Sequence, residues 1–337
     1  MISQNKNVFI IAELSANHNN DYELAVKTIH SIAESGADAV KVQTYKPSSL
    51  TLNLDTGYFI PRTDGLWKGY TPWKLFTEAA MPYEWQPKLK KIAVDLGLVF
   101  FSSPFDLEAV DFLESIGNPI YKIASFEITD TNLIGYAASK GKPMIISTGV
   151  AEIKDIELAL KVCRDAGNED ITLLKCTSQY PATIEQANLN TMQDMKDRFG
   201  VKLGLSDHTI GSLVPTVAVA MGATVVEKHF ILDRNLGGPD SAFSMEPHEF
   251  KEMVEAVRNT EKALGTVTYE VSEKDKLRRR SLFVVEDIKA GEVITEKNVR
   301  SIRPGYGMHP KELKNILGSR AKVNLEKGTA LSKDQLE

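Results

Sequence analysis

The chain of 337 residues has only two cysteines, Cys163 and Cys176, so no disulfide framework holds it together and a buried core must do so. It has no apolar run of about 18 residues and no basic–apolar–small leader, which predicts a cytoplasmic protein with no membrane partner. Positive charge is not in surplus: 40 Lys and Arg stand against 45 Asp and Glu, a net charge of -5. That balance offers no general attraction to nucleic acid or to anionic lipid, so any anionic ligand must be held locally. Neither a Walker-type loop nor a dinucleotide glycine fingerprint occurs.

What is present is alternation. Eight short apolar runs occur at Val8–Ile11, Ala39–Val42, Leu98–Phe101, Ile120–Ile123, Met144–Ile146, Ile171–Leu174, Lys202–Leu205 and Thr224–Val226. Helical spacing marks Asp21–Ala33, Trp85–Leu96, Leu107–Ile116, Ile153–Ala166, Ile184–Phe199 and Glu249–Leu264 between or after them. Gly36, Gly97, Gly117, Gly141, Gly167 and Gly200 are helix-stop signals. Eight strand–helix units predict an α/β fold, a (β/α)8 TIM barrel; a doubly wound sheet is the competitor, less suited to eight units in this length. The segment from Thr44 to Pro82 is longer than a repeat needs and rich in Gly, Pro and aromatics, which predicts a loop over the site or an insertion packed on the wall.

The barrel domain is expected over residues 1–265, a linker over 266–281 and a small β-rich domain over 282–337. Arg278-Arg279-Arg280 reads as a solvated linker face. The small domain contains an echo: Asp287–Thr295 resembles Asn324–Ser332, each a turn with a glycine followed by an apolar pair. A module this small is marginal without a partner surface.

Polar residues cluster after the apolar runs: Glu13, Gln43, Ser102-Ser103, Ser125 with Glu127, Ser147-Thr148, Thr177-Ser178, Ser206 with His208, and His229. In a barrel these fall on the C-terminal face, where such enzymes build their sites; singly, each also suits a turn or a helix cap. His208 and His229 follow neighbouring strands, so their imidazoles can converge on Mn²⁺, Mg²⁺ or Zn²⁺, or can be hydrogen-bonded core residues. Glu127 is the candidate carboxylate for such a centre, and Asp207 either orients His208 or caps the next helix. Lys41, Lys122, Lys175 and Lys228 lie in or beside strands. Buried lysine needs a partner, so Lys41 and Lys122 at the barrel mouth point to an anionic ligand, with Ser103, Ser125, Ser147 and Ser206 as hydroxyl donors. A Schiff-base aldolase using Lys122 or Lys175 is the alternative chemistry.

Glu13-Leu14-Ser15-Ala16-Asn17-His18, Lys41-Val42-Gln43-Thr44, Phe101-Ser102-Ser103-Pro104-Phe105, Tyr121-Lys122-Ile123, Ser147-Thr148-Gly149, Leu205-Ser206-Asp207-His208 and Glu227-Lys228-His229-Phe230 together resemble the sialic acid synthase family. The C-terminal module with Arg303-Pro304-Gly305 resembles that family's antifreeze-like (SAF, β-clip) domain. Within the family, Gly65-Leu66-Trp67, Pro82-Tyr83-Glu84-Trp85, Ala124-Ser125-Phe126-Glu127, Leu174-Lys175-Cys176-Thr177-Ser178 and Asp240-Ser241-Ala242-Phe243-Ser244 are similar to the pseudaminic acid branch. Sialic acid synthases typically carry Gly-Ser-Gly-Glu in place of Ala124-Ser125-Phe126-Glu127, and Asn in place of Ser178.

The resemblance implies condensation of phosphoenolpyruvate with an amino-sugar acceptor, open-chain 2,4-diacetamido-2,4,6-trideoxy-L-altrose, to give pseudaminic acid and phosphate. N-acetylneuraminate or legionaminate synthesis is the neighbouring reading. It implies Mn²⁺ or Mg²⁺ on His208 and His229, with Glu13 and Glu127 as further catalytic groups. The implied phosphoenolpyruvate contacts are Lys41, Ser103, Lys122, Ser125, Ser147, Ser178 and Ser206. The implied sugar contacts are Glu13, Gln43, Tyr180, Asp240 and Arg303, the last brought by the SAF module of a partner in a domain-swapped homodimer. A role in flagellin or surface-polysaccharide glycosylation is also implied. A glycan- or ice-binding protein is the non-enzymatic alternative, but such a protein has no use for lysines, serines and two histidines on a barrel face.

Overall fold

The computed structural model describes residues 7–337, which form two compact units, residues 7–265 and 266–337. In the first unit eight strands close into a barrel: β1 (Phe9–Glu13), β2 (Ala39–Thr44), β3 (Val99–Pro104), β4 (Tyr121–Ile123), β5 (Met144–Ser147), β6 (Ile171–Cys176), β7 (Lys202–Asp207) and β8 (Val225–His229). All pairs are parallel, and β8 returns to β1 with Phe9 opposite Val225 and Glu13 opposite His229. The strands run one to three residues past most of the apolar runs. Glu13, Gln43, Ser103, Ser147, Ser206 and His229 are therefore the inward-facing ends of the strands themselves.

Side-chain alternation sorts each strand into two faces. Phe9, Ile11, Ala39, Phe101, Ile120, Ile145, Leu174 and Val225 fill the barrel interior. Their sequence neighbours Ile10, Val40, Phe100, Tyr121, Ile146, Leu173 and Val226 face outward into the layer shared with the helices. Following the inward register toward the C-terminal ends leads from apolar to polar residues: Ile11 to Glu13, Ala39 to Lys41 and Gln43, Ile120 to Lys122, Leu174 to Cys176, Val225 to Glu227 and His229. Gly204 is an inward position with no room for a side chain; a Cβ there would lie 2.5 Å from Leu174 Cδ2 and 2.6 Å from the Val225 carbonyl oxygen.

The helices follow ordinary local rules. Tyr22–Glu34 is capped by Asp21, which accepts from the Leu24 N–H, and buries Ala25, Thr28, Ile29 and Ile32 along one face. The spacing over Ile184–Phe199 overstates its helix, which occupies Asn190–Phe199; Asn188 in left-handed conformation (φ 43°) separates it from a single 3₁₀ turn at Glu185–Ala187. Among the described residues, three helices of eight residues lie outside the marked segments: Pro72–Ala79, Thr131–Ala138 and Leu213–Ala220. Leu213–Ala220 is apolar on nearly every side and so has no amphipathic stripe to betray it. Among the described residues, no helix is long and apolar enough to cross a membrane.

The second unit has its own core of Leu282, Val284, Ile288, Ile294, Val299, Ile316, Ala321, Leu325, Leu331 and Leu336. Strands β9 (Ser281–Val284) and β10 (Val299–Ile302) pair antiparallel, and the rest is held by isolated bridges. The two echoing segments bond to one another: Ile288 and Leu325 exchange N–H···O bonds of 2.9 and 2.8 Å. Arg278, Arg279 and Arg280 are exposed.

Candidate active site

The C-terminal end of the barrel opens into a cavity of about 450 Å³. Its lining includes Glu13, Gln43, Lys41, Lys122, Ser125, Glu127, Ser147, Tyr180, Ser206, His208, His229 and Asp240. Twelve residues singled out from sequence thus meet around one space. Two from the same unit do not line it. Ser103 is buried on β3, with its hydroxyl unpartnered. Ser178 stands against Gly149, where a Cβ would collide with its Oγ and approach Ser125 Oγ to 2.9 Å. Arg303 is an exposed residue of the second unit.

The floor is a buried chain of alternating charge. Lys41 Nζ lies 2.8 Å from Glu13 Oε2 and 3.0 Å from Glu227 Oε1, and Lys122 Nζ lies 3.3 Å from the same Glu227 oxygen. The Ser206 hydroxyl also donates to Glu227 Oε1, whereas Glu227 Oε2 has no partner. Burial pushes both carboxylates up, but the lysines outweigh it and hold both below the usual carboxylate range. Burial likewise opposes the charge on Lys41, but Glu13 and Glu227 raise it above its ordinary value; Lys122, with less compensation, is lowered by burial.

Glu227 has no assigned role in the sequence reading, although it lies in a quoted motif. The signal for it is period two: it is two residues before His229 on the same strand and so shares its inward face. Lys228 between them faces outward, where its ammonium binds Asp207 Oδ2 at 2.7 Å and the Thr209 carbonyl at 2.5 Å. Asp207 also accepts from the Thr209 N–H and hydroxyl. It therefore serves the following turn and Lys228, and does not orient His208. Lys175 also stays outside the cavity, donating to Thr177 Oγ1 at 2.8 Å, which removes it as a Schiff-base candidate.

The two imidazoles stand on the rim with ring centroids 5.3 Å apart. The Thr177 carbonyl sits 2.8 Å from His208 Nδ1, so this nitrogen carries a proton; burial opposes a charge on the ring, but Cys176 beside it, with Thr177 and Glu13, raises it above the ordinary imidazole value. Burial lowers His229 below the ordinary imidazole value, favouring the neutral ligand form, and its buried Nδ1 has no hydrogen-bond partner. The carboxylates within 4 Å of an imidazole here are Glu13, 3.4 Å from His229 Nε2, and Asp240, 3.9 Å from Nδ1. Glu127, expected from sequence to complete a metal shell, is not among them. No three His, Cys, Asp or Glu side chains converge as a ready ligand set among the described residues. Two imidazoles 5.3 Å apart, one with an orphaned nitrogen, suit a divalent cation whose other positions are filled by water or substrate oxygen.

Glu127 has a different character. Burial pushes its carboxyl up to about 7, and its Oε2 is buried without a partner. Gln43 ties the acceptor side together: its amide donates to Glu13 Oε1 and to Ser15 Oγ, each at 3.0 Å, and Ser15 donates to Asp240 Oδ2 at 2.5 Å. Ser15 reaches that position through left-handed backbone (φ 49°). Cys176, read from sequence only as a free thiol, faces the cavity from the end of β6. Burial raises it, yet His208, Ser125 and Lys122 bring it down to about 7.

The segment between β2 and β3 supplies the outer wall, with Tyr45, Arg62, Trp67 and Phe76 lining the cavity. The Trp67 indole N–H donates to the Pro239 carbonyl at 2.8 Å, joining this loop to the Asp240 loop. The Tyr180 ring lies 4.3 Å from His208, 4.9 Å from Phe243 and 5.7 Å from Trp67.

Comparison with known proteins agrees with this arrangement. The NeuB family matches residues 28–269 and the SAF domain residues 279–337. A pseudaminic acid synthase of Helicobacter pylori is 49% identical over 332 residues, 97% of each chain. An N,N'-diacetyllegionaminic acid synthase of Legionella pneumophila is 38% identical over 337 residues, 98% of this chain and 94% of that one. Among solved structures, the N-acetylneuraminic acid synthetase of Leptospira borgpetersenii in complex with citrate superposes with a TM-score of 0.72 at 32% identity, covering 80% of this chain and 90% of that one.

Proposed function

The chain belongs to the NeuB family and ends in an SAF domain, and on that premise we propose that it is a transferase condensing phosphoenolpyruvate with an amino-sugar aldehyde to give pseudaminic acid and phosphate. The acceptor is 2,4-diacetamido-2,4,6-trideoxy-L-altrose. The observation that carries this reading is the coexistence, in one cavity, of two buried lysines with serine hydroxyls and of two imidazoles beside Glu13. The first set suits a small polyanion; the second suits a polarised carbonyl. The higher identity to a pseudaminic acid synthase than to a legionaminic acid synthase supports the choice of acceptor.

Lys122 and Lys41, ion-paired with Glu227 and Glu13 at the floor, hold the carboxylate and phosphate of the donor. The Ser147 hydroxyl, which has no partner in the protein, and those of Ser125 and Ser206 orient the donor oxygens. Glu13 and Gln43 accept and donate to acceptor hydroxyls, and Asp240 anchors the same side through Ser15. His208 and His229 would hold Mn²⁺ or Mg²⁺, which would supply Lewis-acid polarisation of the aldehyde.

The C2–C3 π electrons of phosphoenolpyruvate form the new bond to the aldehyde carbon, whose oxygen takes a proton and becomes a hydroxyl. Water adds at C2 and loses a proton. Cleavage of the C2–O bond then releases phosphate and leaves the keto group. Glu127, with its proton affinity near neutrality, is the group suited to manage the proton of the added water.

The test offers the enzyme phosphoenolpyruvate, Mn²⁺ and, separately, the L-altrose acceptor and the acceptors of neuraminate and legionaminate synthesis. Phosphate release and product mass are read. Turnover confined to the L-altrose acceptor is expected; preference for another reassigns the sugar. Chelation should abolish turnover and added Mn²⁺ restore it, and full turnover after chelation removes the metal from the reaction. Bridging-¹⁸O phosphoenolpyruvate should send its label to phosphate.

A further inference from the structure

Arg62 differs from the other cations of the cavity. Lys41 and Lys122 are buried and ion-paired at the floor. Arg62 lines the same cavity but is exposed, arrives from the loop after β2, and has no ion-pair partner among the described residues. Its guanidinium carbon stands 5.0 Å from the centre of the Trp67 ring. The loop holds the two in place: the Gly69 N–H donates to the Arg62 carbonyl at 2.8 Å, and the Arg62 N–H donates to the Tyr70 carbonyl at 2.9 Å. Trp67 is itself fixed to Pro239 and lies 5.7 Å from Tyr180, which abuts His208. An aromatic wall therefore runs outward from the imidazole pair and ends at a guanidinium.

We propose that Arg62 and Trp67 form a distal acceptor subsite that takes a secondary amide, with the guanidinium donating to its carbonyl oxygen and the indole face covering its methyl group. This rests on the function proposed above. The two ends of the donor are already served by the lysines and serines of the floor, and an apolar aromatic wall is a poor seat for a second anion. An acetamido group combines one strong acceptor with one methyl, which matches an Arg beside a Trp face. Of the acceptor's two acetamido groups, the one at C2 adjoins the aldehyde and stays by the imidazoles. The one at C4 lies farther along the open chain and reaches the wall. The pair thus selects acceptors that carry a 4-acetamido group.

The experiment compares the wild type with R62A, R62K, W67A and W67F on two acceptors, the 2,4-diacetamido sugar and its analogue with hydroxyl at C4. On the diacetamido sugar, R62A and W67A are expected to raise acceptor KM about tenfold or more, with W67F intermediate and the KM for phosphoenolpyruvate unchanged. On the 4-hydroxy analogue the gap between wild type and variants should close. Wild-type turnover with an unaltered acceptor KM in R62A and W67A overturns the subsite alone, as does a rise in the phosphoenolpyruvate KM instead. No phosphate release by the wild type with the diacetamido sugar overturns the underlying reaction and the subsite with it. Thermal unfolding of each variant separates a lost subsite from a lost fold.

Discussion

Glu127 shows how one residue can trade stability for chemistry. Burial raises its pKa to about 7 from an ordinary 4.5. Below the ordinary value both folded and unfolded chains carry the proton, and Glu127 contributes no pH dependence. Between the two values only the unfolded chain has lost it, so stability falls as pH rises, and above 7 the penalty is constant at roughly 3 kcal/mol or less. Glu127→Gln is therefore expected to be more stable than the wild type at pH 8 by up to ~3 kcal/mol, with a much smaller difference near pH 5, while turnover falls ~100-fold or more. Urea unfolding at the two pH values checks this; a stability difference independent of pH would refute it. At this scale the sequence identified Glu127 as a site carboxylate but left its work open between the metal shell and the added water. It lies beyond ion-pair distance of both imidazoles, and Glu13 and Asp240 hold the nearer positions. No local pattern gives the direction in which a loop carboxylate points.

A single strand, β8, separates function from stability by alternation. Glu227 and His229 face the cavity, and Lys228 faces the helical layer, where its buried ammonium meets Asp207 at 2.7 Å. Lys228→Met leaves Asp207 buried without its cation and should cost about 3–5 kcal/mol in denaturant unfolding, with the KM for phosphoenolpyruvate unchanged. Lys122→Met should instead raise that KM about tenfold or more. If the two outcomes were exchanged, the assignment of faces would be wrong. The eight strands were legible because each is a short β-branched or apolar run closed by polar residues. Leu213–Ala220 was not, because its exposed positions Leu213 and Val217 are as apolar as its buried ones, and Thr131–Ala138 was not, because two turns are too short for periodicity to stand out. The overlong reading at Ile184–Phe199 arose from apolar residues that continue the spacing through a left-handed break at Asn188.

For the whole molecule, each unit closes its own core. The family resemblance implies a homodimer with Arg303 entering the partner's site, and we propose this arrangement for the present chain as one open to a direct test. Chains carrying Arg303→Ala and chains carrying His208→Ala should each be nearly inactive. Dissociated and reassociated in equal amounts, they should recover about a quarter of wild-type turnover, because half the dimers then hold one intact site. No recovery, with dimers present by light scattering, would place Arg303 in its own chain's chemistry or outside it. The sequence by itself determined the eightfold alternation, the echo in the second unit and most of the polar residues at the strand ends, since these depend on periodicities of two and 3.6 residues along the chain. Only the tertiary structure decided that Glu227 bridges Lys41 and Lys122, that Lys175 and Lys228 face away, and that Arg62 and Trp67 complete the wall above the imidazoles. Those relations depend on which distant segments the closed barrel and its loops bring within a few ångströms, and spacing along one chain does not encode that distance.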